Sequence, residues 1–335
     1  MTDPAAPPGL LAEAGDAQLR RDMLGPEPPF GRDGAVRLPA PASAAVCAEL
    51  EGNWADDLRS IIVREESSQA AIAPILADPI ANWPSDELSL GDFFVFKFGL
   101  PQGRFAWAAR AQPNVRKAFQ AIFGPHEELC CGTDTVFFSN RPSPTANDTD
   151  RSTFLWPHVD QNSHVAVSGA WEAYQSVLYI RPSTIDGSTT VVWPGSHGAP
   201  FEALMKSAKA EDGHFYQAAG ALMDEFVTHA RRVLVPAGGL FLWNSRTMHQ
   251  GWMEGARLAI PICYEPKSRR RQAALAAKID CVKNGFPMTH WASLGQRHDG
   301  VPPGGWGPRG GTAAIPLAHV AHYSSLTSDG AVVPE

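Results

Sequence analysis

Residues 152–161 read STFLWPHVDQ, an apolar, β-branched and aromatic run that closes on a histidine and an aspartate two positions apart. Six more runs of the same texture lie around it: DTVFFSN (134–140), SVLYIRP (176–182), STTVVWPGS (188–196), RRVLVPA (231–237), GLFLWNS (239–245) and RLAIPICYEP (257–266). Each is short, rich in strand-favouring residues and bounded by Gly, Pro, Asn or Ser, the pattern of strands separated by tight turns. Consecutive strands without helical spacers point to an antiparallel sandwich or jelly roll rather than to βαβ units. One interruption, residues 201–230 (FEALMKSAKA to GALMDEFVTHA), lacks strand character and reads as helix and loop crossing one edge of the barrel.

The flanks differ in texture. Residues 1–40 hold seven of the 29 prolines and few large apolar side chains, so they read as a loosely ordered arm. Residues 41–335 form a single domain: a mostly helical support over 41–128, the β core over 129–266, and a C-terminal helix and loop over 267–335. AQPNVRKAFQAIFG (111–124) places a proline near a helix start and a glycine just past its end. KSRRRQAALAAKIDCVKNG (267–285) reads as a basic amphipathic helix stopped by Gly285, its charge run a solvated helix start.

The chain has 335 residues, 44% of them hydrophobic and 19% charged, enough to bury a large core. Its formal charge of -7 argues against a nucleic-acid partner, which would need a basic surface. Five cysteines, an odd number without CxxC spacing, suggest neither a disulfide framework nor a zinc-thiolate site and fit a reducing compartment. Cys130 and Cys131 read as adjacent strand residues with one thiol on each face. The N-terminal sequence has no signal-peptide pattern, and no apolar run reaches the roughly 20 residues of a membrane span. A cytoplasmic protein acting on a small molecule, with neither nucleic acid nor membrane as partner, is the expectation; oligomeric state is not encoded legibly.

On a strand, residues i and i+2 face the same way, so His158 and Asp160 can present an imidazole and a carboxylate to one point. Two ligands are too few for a tight site. His249, in LFLWNSRTMHQGW, is the best third, and two histidines with one carboxylate on one face of an iron leave positions open for cosubstrate and oxygen. Arg257 begins the strand that follows, and its planar guanidinium suits the far carboxylate of a dicarboxylic cosubstrate. Gln175 is a candidate for orienting a ligand or cosubstrate from behind. Gln161 is a candidate for the site mouth, and Trp156, on the face of His158 and Asp160, for the substrate pocket. His197, in PGSH, is assigned to a loop and left out of the metal set.

The ordered series HVDQ, VVWPGSHG, GLFLWNSRTMHQG and RLAIPICYEP resembles the phytanoyl-CoA dioxygenase-like family of Fe(II)/2-oxoglutarate oxygenases, over residues 130–266 with a weaker echo in NGFPMTHWA (284–292). The resemblance implies a double-stranded β-helix core, of the jelly-roll, cupin-like kind. It implies iron on His158, Asp160 and His249, with the C5 carboxylate of 2-oxoglutarate on Arg257. It further implies oxidation of an unactivated C–H bond of a small-molecule metabolite by O2, with release of succinate and carbon dioxide. The carboxylate at Asp160 favours hydroxylation over halogenation; desaturation, ring closure and demethylation stay open. The interval from His249 to Arg257 is shorter than the family usually shows and calls for a tight hairpin, with Arg246 as the fallback cation. A cupin-like metalloenzyme without 2-oxoglutarate, or a non-catalytic small-molecule-binding barrel, are the alternative readings.

Overall fold

The computed structural model describes residues 29–38, 41–65, 69–84, 94–141, 153–184, 187–252, 255–298, 314–315 and 321–323. Most of the expected N-terminal arm (1–28 and 39–40) and the Gly/Pro-rich stretch from 299 to 313 lie outside them.

Two six-stranded sheets carry the architecture. The first runs in the order β1 (Ala35–Leu38), β11 (Leu240–Asn244), β7 (Tyr174–Tyr179), β13 (Arg257–Pro261), β4 (Val136–Ser139), β2 (Phe94–Val95). The second runs β16 (Ala321–Tyr323), β10 (Arg231–Val233), β8 (Thr189–Val192), β12 (His249–Trp252), β6 (His158–Val159), β9 (Tyr216–Gln217). Every pairing is antiparallel except β10 with β16. From β6 the chain passes to the first sheet at β7, back for β8 and β10, and then alternates through β11, β12 and β13. That winding, with two sheets coiling around a shared interior, is a double-stranded β-helix flanked by helices. Between β10 and β11 the chain reverses at Gly238, whose φ is +77°, and a side chain there would collide with the Ala42 carbonyl.

Both faces of each sheet are covered, which is why the strands read as nearly continuous apolar runs. On β7, Val177 and Tyr179 point between the sheets and Leu178 points outward; on β13, Ala259 points inward while Leu258 and Ile260 point outward. The outer face of the first sheet packs under helices α2 (Ala44–Glu65), α4 (Arg104–Arg110) and α5 (Pro113–Phe123). Trp54 of α2 is fully buried there, its ring 5.2 Å from that of Phe105 and 5.3 Å from that of Phe138. The outer face of the second sheet, with Val159, Val191 and Trp252, is closed by α6 (Ala199–Met205) and α7 (Ala221–His229) through Phe201, Leu204 and Phe226. The remaining helices are α1 (Pro29–Asp33), α3 (Gln69–Ala77) and α8 (Gln272–Lys283).

Three details differ from the sequence reading. Residues 35–38, placed in the loose arm, form an edge strand in register with β11 (Val36 opposite Leu242), and all four are buried. Four residues are too few to show a period, but the sheet gives them a ladder and a core. The segment 201–230 contains a two-residue strand, β9, which continues the second sheet beyond β6 (Val159 opposite Tyr216). The basic run from Lys267 is a short 3-10 turn (Lys267–Arg269) ahead of α8 rather than its first turn.

Candidate metal and cosubstrate site

The interior opens at one end into a cavity of about 540 Å³. His158, Asp160, Gln175, His249, Trp156 and Arg257 all line it.

β6 and β12 are neighbours, and their register puts His158 directly opposite His249. Asp160, two residues along from His158, keeps the same face, and its backbone N–H donates to Ser245 O at 3.1 Å. The result is a cluster in which one donor atom from each of His158, Asp160 and His249 lies within 4.8 Å of the others. Asp160 Oδ2 stands 3.2 Å from His249 Nε2 and 3.7 Å from His158 Nε2.

Backbone carbonyls set the tautomers. His158 Nδ1 donates to Trp156 O at 3.0 Å, and His249 Nδ1 donates to Thr247 O at 3.0 Å. A carbonyl can only accept, so each Nδ1 carries a proton and each ring turns Nε2 toward Asp160. Burial, aided by the neighbouring His249, pushes His158 down to about 4, so that ring is neutral at pH 7. Burial opposes the charge on Asp160, but the two imidazoles outweigh it and hold the carboxyl well below its ordinary range. His158 Nε2 and the Asp160 carboxylate thus converge as electron-rich groups, with His249 Nε2 3.2 Å from Oδ2.

Supporting groups come from the facing sheet. Gln175 on β7 donates from Nε2 to Asp160 Oδ2 at 2.9 Å, fixing the carboxylate from behind. The Trp156 indole lies nearly parallel to the His158 ring, 4.7 Å away at 17°, and limits its rotation.

Arg257 points inward from the start of β13, 8% exposed. Its Nη2 donates to Tyr179 Oη at 2.9 Å and to Thr190 Oγ1 at 3.4 Å, and the guanidinium sits 4.6 Å over the Phe137 ring. Its Nε has no acceptor, and no carboxylate lies within ion-pair distance among the described residues. Burial pushes its pKa down, yet guanidinium stays protonated in proteins, so the cavity holds a desolvated cation without an anion.

Other sequence candidates fall elsewhere. Gln161 is fully buried and donates to the carbonyls of Ser168, Gly169 and Trp171, bracing a turn rather than standing at the site mouth. Arg246 donates to Gly169 O and packs over Phe201, outside the cavity lining. His197 packs near Gly34, away from the cavity.

The rest of the wall was missed. Asp134, His214, Phe215, His290 and Trp291 come from a pre-strand loop, from the 211–215 segment and from a hairpin at 287–298. Of these, His290 and Trp291 lie in NGFPMTHWA, and that echo was the one available signal. No helix among the described residues is long and apolar enough to cross a membrane.

No family model matches the chain. It is 25% identical over 228 residues to Ava biosynthesis cluster protein O of Aspergillus versicolor, covering 63% of this chain and 70% of that protein. Among solved structures, the epimerase SnoN, in complex with Fe3+, alpha ketoglutarate and nogalamycin RO, superposes with a TM-score of 0.48 at 18% identity, over 75% of this chain and 85% of its own. EctD from S. alaskensis, in its apoform, gives 0.43 at 16% identity, over 73% and 77%.

Proposed function

We propose that the protein is an Fe(II)/2-oxoglutarate-dependent oxygenase of the phytanoyl-CoA dioxygenase-like type, hydroxylating an unactivated C–H bond of a small-molecule metabolite. The observation that carries this reading is the convergence of two imidazole Nε2 atoms and one carboxylate on a buried point. A divalent cation satisfies all three, and two nitrogens with one oxygen suit ferrous iron while leaving part of its coordination sphere open.

When bound, iron with 2-oxoglutarate and O2 supplies the oxidising power for hydrogen removal from an unactivated carbon. The chain's own residues do the rest. Trp156 and Thr247 carbonyls hold the two imidazoles in the ligating tautomer, and Gln175 keeps Asp160 from swinging away. Arg257 receives the distal carboxylate of 2-oxoglutarate, supported by Tyr179 and Thr190, which accept its Nη2 hydrogens and leave Nε without an acceptor among the described residues. The aromatic walls around Arg257 and His158 keep water from competing for these contacts. The unpaired Arg257 favours 2-oxoglutarate over a cupin-like chemistry that would need no cation there.

Isothermal titration of 2-oxoglutarate into the anaerobic Fe(II)-loaded protein tests the reading. Saturable binding that depends on both the metal and Arg257 is expected. Absence of binding to the wild-type protein, or unchanged binding in Arg257→Ala, overturns it.

A further inference from the structure

The cavity is lopsided in charge, and the excess lies away from Arg257. With Asp160 and Arg257 assigned as above, its remaining acidic and basic lining groups are three carboxyl groups, Asp134, Glu211 and Asp212, one guanidinium, Arg297, and the imidazoles of His214, His290 and His298. Arg297 lies at the exposed rim, stacked 3.5 Å over Phe286, and Glu211 and Asp212 are also at the rim. Asp134 is the one set into the wall.

Its position is fixed from three sides. The next residue, Thr135, donates its hydroxyl to Val95 O on β2, while Met288 N of the 287–298 hairpin donates to Thr133 O at 2.9 Å. Arg110 donates from Nη2 to the Asp134 main-chain carbonyl. That buried guanidinium therefore serves the backbone, and no cation forms an ion pair with the Asp134 carboxylate among the described residues. Oδ1 accepts from Thr135 N at 2.7 Å; Oδ2 has no hydrogen-bond donor among the described residues. Burial pushes this carboxyl up, against the pull of His298, the Thr135 N–H and Arg110, and a cation at Oδ2 would relieve that cost.

Aromatic rings flank it. Phe94 on β2 meets Phe137 on β4 edge-on at 5.2 Å and Trp156 at 6.4 Å, and all three line the same cavity. Phe137 already carries the Arg257 guanidinium on one face, so this wall accepts positive charge. On the neighbouring hairpin, whose His290 carbonyl packs against Gly132, the His290 ring makes no hydrogen bond among the described residues, and burial, with the neighbouring histidines, holds it down at about 4. It is neutral at pH 7 and opposes no cation.

We infer that the substrate is cationic, an amine or other protonated nitrogen compound, held by Asp134 against the Phe94–Phe137–Trp156 wall with its oxidised carbon toward the His158–Asp160–His249 cluster. This rests on the oxygenase reading for the direction of binding, but the cation site itself does not.

Three indole probes of similar size but different charge test it by calorimetry on the full chain: tryptamine (cation), tryptophol (neutral) and indole-3-propionate (anion). The expected result is tryptamine binding about tenfold or more tighter than tryptophol, the anion weakest, and loss of the tryptamine preference in Asp134→Asn. The same Asp134→Asn protein is expected to bind Fe(II) and 2-oxoglutarate as the wild type does, which separates a lost cation contact from a lost fold. Equal binding of tryptamine and tryptophol by the wild type, a preference for the anion, no measurable binding of any probe, or a preference that survives Asp134→Asn overturns the inference. The wild-type comparison decides even if Asp134→Asn does not fold. A wild type that prefers tryptamine yet takes up no 2-oxoglutarate upholds the cation site and overturns the oxygenase reading alone.

Discussion

Two parts of the cavity wall are built differently. Around the metal ligands, most groups sit on ladders of the β core: His158 opposite His249 across a β6–β12 pair, with Asp160 just past β6, Gln175 on β7 and Arg257 at the head of β13. Register alone determines which atoms meet, and a one-residue slip would turn each of them out of the cavity. The other wall residues, Asp134, His214, Phe215, His290 and Trp291, arrive on segments outside that lattice and meet through side-chain packing, such as the His214–Trp291 ring contact at 4.3 Å and the Phe215–His158 contact at 4.6 Å. A metal site demands fixed donor positions and gains from strands. A substrate wall has to suit one molecule among many, and loops can change without disturbing the ligands.

Substitutions can break or sharpen this contrast. The largest effect is expected at the metal ligands: His158→Ala or His249→Ala should weaken Fe(II) binding by more than about 100-fold, beyond the loss typical of an outer partner, with the fold retained by circular dichroism. Each variant also loses an Nδ1 hydrogen bond and a buried ring contact, so its metal-free melting temperature should fall, and Fe(II) affinity equal to the wild type in either variant would contradict the triad. Next comes Arg257→Ala, for which 2-oxoglutarate affinity should fall about 30-fold or more with Fe(II) affinity retained, the cost of deleting one member of a desolvated charge pair. Gln175→Leu keeps the volume but deletes the donor to Asp160, and should lower Fe(II) affinity about 10-fold. An unchanged affinity would show that Asp160 is held by other means.

The last comparison spans both parts of the wall and reads stability rather than binding. His158, His214 and His290 are each held down at about 4 from 6.5, burial being the largest cause. An unfolded chain takes up protons on these rings between pH 6.5 and 4 that the folded chain refuses. Stability should therefore be complete above about pH 6.5 and fall as pH drops toward 4. The ceiling is about 1.4 kcal/mol per pH unit for each ring, and half-buried His214 falls below it through solvent screening. Melting curves of the metal-free protein across that window, compared with His290→Gln, should show a shallower fall in the variant.

What the sequence disclosed follows the same division. The strand runs were legible because apolar residues bounded by turn formers have a short, regular signature, and HVD was legible because i, i+2 spacing needs no tertiary information. His249 could be added because it follows the GLFLWNS strand run and Arg257 because it begins the next, although the strand that His249 itself opens was not read. Gln161 misled: its position after the ligand pair suggested the site, whereas three carbonyls of the 168–171 turn claim its amide. Residues 35–38 were hidden by the prolines around them, and their strand exists only because β11 offers an edge. Asp134 and His214 carry no local pattern, since nothing near them in the chain says that β2 and the 287–298 hairpin will close around them.

The central claim is that His158 and His249 on two paired strands, with Asp160 just beyond the first, form one ferrous site with a guanidinium waiting for a dicarboxylate. Anaerobic addition of Fe(II) and then 2-oxoglutarate to the purified protein, followed by visible absorption, tests it most directly. The account predicts a charge-transfer band that grows with 2-oxoglutarate, needs more of it in Arg257→Ala and is missing in His158→Ala. A wild-type protein that stays colourless at saturating Fe(II) and 2-oxoglutarate would contradict it.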